Sequence, residues 1–202
     1  MKIYTICILL VLFAKYMEHK DRLRLKGKSL YLAEFQETHL HNPRYFAWLR
    51  DLDVVGPIYR FEYLKPISFS VIENQVRMIM SSPNDCFFAI HLNQTNEFIG
   101  TLKIGHISLR AGLADIGILI GEKSHWGKGY AKDAIAVACH YAFETLSLRR
   151  LTAGTPSNNI SMVKCFEKVG FQREGLLRKE LLIKGEYVDK ILFGTFKEEL
   201  KM

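Results

Sequence analysis

The stretch from Ile116 to Leu146 restricts what this chain can fold into more than any other. The apolar run Ile116-Gly117-Ile118-Leu119-Ile120 reads as a buried strand. A helical pattern follows, with Ala131, Ala134, Ile135, Ala138, Ala142 and Leu146 on one stripe. Between them lies Gly121-Glu122-Lys123-Ser124-His125-Trp126-Gly127-Lys128-Gly129-Tyr130-Ala131. Gly127 and Gly129 allow a tight turn and a close approach to a ligand. The first N–H groups of the helix have no partner within it, and its dipole adds partial positive charge there. Such a terminus suits an anion, most naturally a phosphate. The alternative is a glycine-rich turn with no ligand.

Two known phosphate motifs do not fit. A dinucleotide fingerprint needs a third glycine where Lys132 stands, and a P-loop needs Gly-Lys-Ser/Thr where Gly129 is followed by Tyr130. A third pattern does. Trp126-Gly127-Lys128-Gly129-Tyr130-Ala131 resembles the pyrophosphate loop of GNAT N-acetyltransferases, Arg/Gln-x-x-Gly-x-Gly/Ala. Trp126 replaces the Arg or Gln, as in the branch that acetylates ribosomal-protein N-termini and amino sugars. Asn159, Phe166-Glu167-Lys168-Val169-Gly170-Phe171, Glu174-Gly175, Arg178 and Gly185-Glu186-Tyr187-Val188-Asp189 follow that branch in order and spacing. Leu25-Lys26-Gly27-Lys28-Ser29-Leu30-Tyr31-Leu32 resembles its opening strand, so the match runs from Arg24 to Glu199.

Composition agrees with one folded domain. The chain has 202 residues, 49% of them apolar, which is enough for a real core. Its net charge of +7 is compatible with nucleic acid, a membrane surface or an anionic small molecule. The Lys and Arg are scattered, with no basic helix interleaved with aromatics, so nucleic acid is not the expected partner. Cys7, Cys86, Cys139 and Cys165 form no C-x-x-C clip and read as reduced apolar residues of a cytoplasmic protein. The seven histidines show no metal-ligand spacing, so no metal is expected.

Residues 1–16 stand apart. Ile6 to Ala14 is nearly unbroken apolar sequence, too short to span a bilayer and lacking a small-x-small cleavage site. The expectation is that the natural start is Met17, with 17–202 as the domain. If native, residues 1–16 would pack on the domain or anchor it at an interface. A strand is expected over Ser29–Phe35, one helix over Thr38–Arg50 and another over Ser68–Met80. Leu52–Ile67 carries Pro57, Tyr59, Phe61, Tyr63 and Pro66 without a clean period. Strands follow at Cys86–Leu92, Phe98–Leu109 and Leu113–Gly121, then the helix over 129–146. Arg149–Gly154 reads as a strand, Ser161–Val169 as a helix stopped by Gly170, and Phe171–Ile183 with Tyr187–Phe196 as a hairpin.

The resemblance implies an α/β (layered α+β) fold in a single GNAT-like domain. Its mixed, mostly antiparallel sheet would be splayed in the middle, with helices on both faces. Acetyl-CoA would lie in the split between Leu113–Gly121 and Arg149–Gly154. Leu119, Ile120 and Gly121 would pair with its pantetheine arm, and the loop from Trp126 through Gly127, Lys128, Gly129, Tyr130 and Ala131 would hold its pyrophosphate. Lys123 and Lys128 would add charge. Asn159 would touch the cofactor or simply cap a helix. Phe166 occupies the family's tyrosine position on the cofactor wall, so that acid is missing. Ser161 and Tyr130 are the substitutes, while Cys165 is expected to point elsewhere. Asp115, Glu122 and His106 are the candidate bases. Burial of Asp115 in an apolar strand would suit it to the task, unless it is a strand-end residue facing solvent; a water relay with no dedicated base is the alternative.

The implied activity is acetyl transfer from acetyl-CoA to a primary amine by direct attack. The expected acceptor is a small molecule such as a nucleotide-linked amino sugar. Alternatives are a ribosomal or other protein N-terminus, or a non-catalytic acyl-CoA-binding module. Monomer and homodimer stay open. The segment Leu52–Ile67 would wall the acceptor pocket or pack on the core.

Overall fold

Apolar residues that alternate in or out of register with their neighbours define eight strands in one sheet. The computed structural model describes residues 23–58 and 68–201. Expectations for residues 1–16, for a start at Met17, for Cys7, and for Tyr59, Phe61, Tyr63 and Pro66 lie outside the described residues. The strands are β1 (Arg24–Lys26), β2 (Leu30–Glu34), β3 (Cys86–Leu92), β4 (Phe98–Ser108), β5 (Leu113–Ile120), β6 (Arg150–Pro156), β7 (Gln172–Ile183) and β8 (Glu186–Thr195). Their order is β1-β2-β3-β4-β5-β6-β8-β7. Every neighbouring pair is antiparallel except β5–β6.

The helices are α1 (Glu37–Leu40), α2 (Pro43–Arg50), α3 (Leu52–Val55), α4 (Phe69–Ser81), α5 (Tyr130–Glu144) and α6 (Ile160–Val169). They cover both faces of the sheet. Ala134, Ala138 and Ala142 of α5 are fully buried against Leu30, Leu102 and Ile104, and α6 adds Val163 and Val169. Small side chains let α5 lie close to the strands. The opposite face packs Trp48 and Leu49 of α2, Val54 and Val55 of α3, and Ile72 and Val76 of α4 on Ala89, Phe98 and Leu119. Strand β5 serves both layers by alternation: Ala114 and Ile116 face one core, Leu119 the other.

The single helix expected over Thr38–Arg50 is two. Pro43 has no N–H to extend a helix and instead begins α2, where Asn42 Oδ1 caps Arg44 N–H at 3.0 Å. Gly170 ends α6 at φ +120°.

The sheet opens in its middle. Strand β5 pairs with β6 only through Leu113–Arg150, Ala114–Leu151 and Asp115–Thr152. Beyond Asp115, β5 continues against β4 to Ile120, while β6 continues against β8 to Pro156. A wedge separates Ile116–Ile120 from Ala153–Pro156, and α5 begins at its wide end.

Candidate active site

The loop into α5 is shaped by backbone rather than by crowding. Gly127 lies at φ +75° and Gly129 at φ +84°, both in the left-handed region. A Cβ built on either meets nothing within 4 Å, so conformation alone calls for glycine. The first N–H of α5 to find a carbonyl is that of Asp133, bonded to Gly129 O at 3.1 Å. Among the described residues, the amides from Gly127 to Lys132 donate to no other group of the protein. The Trp126 indole N–H donates to Ile120 O at 2.8 Å and braces the loop on the strand end.

Only part of the expected strand edge faces the wedge. Gly121 N–H donates to Ile99 O on β4 at 2.9 Å. Alternation therefore turns Leu119 and Gly121 toward β4, and Ile118 and Ile120 toward the opening. Of Leu119, Ile120 and Gly121, Ile120 alone presents backbone groups to a pantetheine arm, and Trp126 already takes its carbonyl. Gly121 instead lets the Trp48 ring pack where a side chain would stand.

Two cavities flank the wedge. One, of about 500 Å³, lies against Gly127, Gly129, Ala131 and the start of α6. The other, of about 290 Å³, lies against α2, α4, β4, the end of β6 and Lys190 in the middle of β8. Pro57, Ile58, Ile118 and Leu119 line both, so the cavities meet on β5.

Asn159, Ser161 and Trp126 line the larger cavity. Asn159 also caps α6, its Oδ1 accepting from Met162 N–H at 3.2 Å, which leaves its NH2 for a ligand. Cys165 lines the same cavity, contrary to the expectation that it points elsewhere. Burial pushes its thiol up to about 11, against the pull of Lys132 and Lys168. Phe166 does not belong to this wall. It is 2% exposed and packs on Phe171 and Phe193, inside the core. Spacing alone put it beside the cofactor, but Cys165 is the residue of α6 that faces there. Tyr130 packs edge-on against His125 and lines neither cavity.

Asp115 lines the smaller cavity at the last paired position of the wedge. Its side chain is 35% exposed rather than buried, and Oδ1 lies 2.5 Å from His106 Nδ1. His106 sits at φ +51° within the irregularity of β4 between Gly105 and Ser108, with its ring open to solvent. Its N–H donates to Asp85 Oδ1 at 3.3 Å. Glu122 is different. It pairs with Arg44 at 3.2 Å, accepts from the Ser124 hydroxyl, and lines neither cavity. It staples the loop to α2. Lys123 is likewise committed, at 2.7 Å from Asp51 and 3.0 Å from Asp53. Lys128 lines a separate hollow beside β1 and the outer face of α5.

Residues beyond the sequence reading complete the site. Lys132, Lys164 and Lys168 line the larger cavity, and Lys103 and Lys190 the smaller one. Lys103 interrupts the apolar run Phe98-Ile99-Gly100-Thr101-Leu102-Lys103-Ile104, which was a readable signal. It is 13% exposed and lies 3.2 Å from Asp85. Burial opposes ionisation of Asp85, but the Ser82 hydroxyl, Lys103 and His106 N–H together hold its carboxyl below the usual range. Among the described residues no cluster of three His, Cys, Asp or Glu is placed to hold a metal, and no helix is long and apolar enough to cross a membrane.

A split sheet, a helix start with free amides and two cavities meeting at the split match the layout that the resemblance to acyl-CoA-dependent acyltransferases implies. Residues 29–172 match the family model described as the acetyltransferase (GNAT) domain. The chain belongs to this family of acetyl-CoA-dependent N-acetyltransferases. It is 37% identical over 112 residues to the uncharacterized N-acetyltransferase p20 of Bacillus licheniformis, covering 55% of this chain and 62% of that one. It is 29% identical over 174 residues to a probable N-acetyltransferase, YjcK, of Bacillus subtilis, covering 82% and 92%. The chain therefore spans about three fifths of the first relative's length and most of the second's. The spermidine N-acetyltransferase of Vibrio cholerae, solved with CoA and spermine, superposes with a TM-score of 0.76 at 22% identity, over 86% of this chain and 98% of that one. At that identity the likeness speaks for the fold.

Proposed function

We propose that this protein moves the acetyl group of acetyl-CoA to the primary amine of a small molecule, with Asp115 taking the amine's proton. One observation carries the reading: β5 and β6 part at Asp115–Thr152, and the two cavities meet at that opening. The free amides at the start of α5 suit the pyrophosphate, and the chain's own lysines Lys132, Lys164 and Lys168 add charge beside it. The thioester then reaches the junction at Ile118 and Leu119.

An ammonium group loses one proton before attack. Its nitrogen forms the C–N bond to the thioester carbonyl while the C–S bond breaks, and CoA leaves as a thiolate. The amide nitrogen sheds a second proton. One of the two returns to the thiolate, for which Ser161 is the nearby hydroxyl, and the other reaches solvent. Asp115 with the exposed His106 ring offers that exit, because the pair links the cavity to the surface. The small volume of this cavity, about 290 Å³, favours a small molecule over a polypeptide. A nucleotide-linked amino sugar suits the net charge of +7. Cys139 and Cys165 form no disulfide among the described residues, which favours a cytoplasmic setting.

The test is free-thiol release from acetyl-CoA with a panel of amines. Turnover is expected, with kcat in Asp115→Asn lowered by about 10²- to 10⁴-fold and CoA affinity unchanged. Tight CoA binding with no thiol release for any amine would instead make the protein a binding module.

A further inference from the structure

We infer that the acceptor carries an anionic group, a carboxylate or phosphate, which Lys190 holds while the amine points toward Asp115. This rests on the acetyl-transfer reading above and names the substrate class for the same cavity.

The charges of the acceptor cavity are few and placed apart. Its charged lining among the described residues is Asp115, Lys103 and Lys190, and Tyr45 adds a phenol. Lys103 already has Asp85 at 3.2 Å. Lys190 lines the same cavity and has no carboxylate partner among the described residues. The carboxylate next to it in sequence, Asp189, points to the other face of β8 and accepts from Lys179 N–H at 2.8 Å.

The backbone is cleared for this lysine. Lys190 stands opposite Pro156 on β6, at the end of the wedge. Its chain lies over Gly154, where a Cβ would come within 2.8 Å of Lys190 Cε and 3.8 Å of Nζ. The missing side chain at 154 lets the ammonium reach along β6 into the cavity. On the opposite wall, a Cβ on Gly105 would meet Lys103 Nζ at 2.5 Å and Asp115 Oδ1 at 3.0 Å, so these two side chains share one patch above β4. An amine that approaches Asp115 therefore has, across the cavity, a cation with no carboxylate partner among the described residues. A second ammonium on the acceptor, as in a polyamine, would be repelled there, and an anion would be drawn in.

The experiment uses the full chain, acetyl-CoA and three amines of equal length: aminohexanoate, hexylamine and hexanediamine. Glucosamine and glucosamine phosphate form a second arm that separates phosphate from carboxylate. The anionic acceptor is expected to exceed the neutral one in kcat/KM by about tenfold, mostly through KM, and the diamine to be poorest. Lys190→Gln should erase the ranking, and Lys190→Glu should invert it toward the diamine, with CoA affinity and melting temperature retained. A wild-type preference for the diamine, or a ranking unchanged in both variants, would overturn the inference. If no amine is acetylated, the acetyl-transfer reading fails by itself. Calorimetric titration of the same amines into CoA-loaded protein then decides this one, and equal affinities would refute it.

Discussion

Replacing Gly129 by alanine isolates the conformational demand of the phosphate loop from every other contribution. Residue 129 sits at φ +84° as the residue before the first turn of α5, and a Cβ there touches nothing within 4 Å. No clash can arise, so the cost is the left-handed backbone alone, about 1–2 kcal/mol for a residue with a Cβ. Where that cost shows depends on the loop. If the loop keeps its shape without ligand, the loss falls on stability. If it relaxes, the amides of residues 127–132 leave their positions, and the loss falls on CoA binding. The CoA-bound state carries the strain in either case. The losses in unfolding free energy and in binding free energy must therefore sum to about 1–2 kcal/mol, or roughly a 5- to 30-fold combined change in equilibrium. Urea unfolding of the free protein and calorimetric titration with CoA measure the two parts. Gly129→Asn should lose less, because asparagine visits this region more readily. A summed loss below about 0.5 kcal/mol for alanine, or an asparagine variant as impaired as alanine, would refute a loop whose grip depends on that backbone.

Three further outcomes follow from particular contacts. Gln36 N–H donates to His39 Nδ1 at 2.9 Å, His39 Nε2 meets His91 Nε2 at 3.0 Å, and His91 Nδ1 meets Asn96 O at 3.0 Å, a chain satisfied when both rings are neutral. Burial, then the neighbouring His91, lowers His39 from 6.5 to about 4, so the unfolded chain binds the proton first. Stability should be full above pH 6.5 and fall as pH drops toward 4, and urea midpoints for His39→Leu should show a shallower slope, the remainder belonging to His91, which burial also lowers. Phe166→Tyr should not raise kcat, since its hydroxyl would enter the core without a partner and cost about 1–3 kcal/mol in thermal unfolding. Glu122→Gln should leave kcat within about twofold and shift stability by no more than about 1 kcal/mol, whereas a tenfold fall in kcat would restore Glu122 as a base.

Local pattern made much of the fold legible. The run Cys86–Leu92 is bounded by an Asn-rich turn, and its ends were readable to the residue. Pro43 should have divided the first helix, because a proline inside a helical stretch is itself a stop signal. The loop from Trp126 to Ala131 was legible because glycine spacing and helix start are both written locally. The wedge was not: no side chain near Asp115 or Thr152 says where their strands part, and only the resemblance implied a split. The acceptor cavity depends on contacts of long range. Lys190 and Gly154 come together through strand pairing between β6 and β8, and Lys103 acquires its meaning from Asp85 and Asp115. Spacing placed Phe166 on the wrong wall because a one-residue error on a helix is a rotation of about 100°.

The two halves of the proposed reaction share their supports. Leu49 of α2 and Pro57 and Ile58 beyond α3 wall the acceptor cavity, while the loop at 121–131 shapes the coenzyme side. Trp48 packs over Gly121, Arg44 reaches Glu122, and Lys123 bridges Asp51 and Asp53, so each link runs from α2 or the start of α3 to that loop. The ion pairs are exposed and individually weak. The Trp48 ring, 6% exposed, is the larger contribution, because apolar burial scales with area and is not screened by salt. Salt should therefore leave the coupling between the two cavities largely intact, while a smaller side chain at 48 loosens the loop and the acceptor wall together.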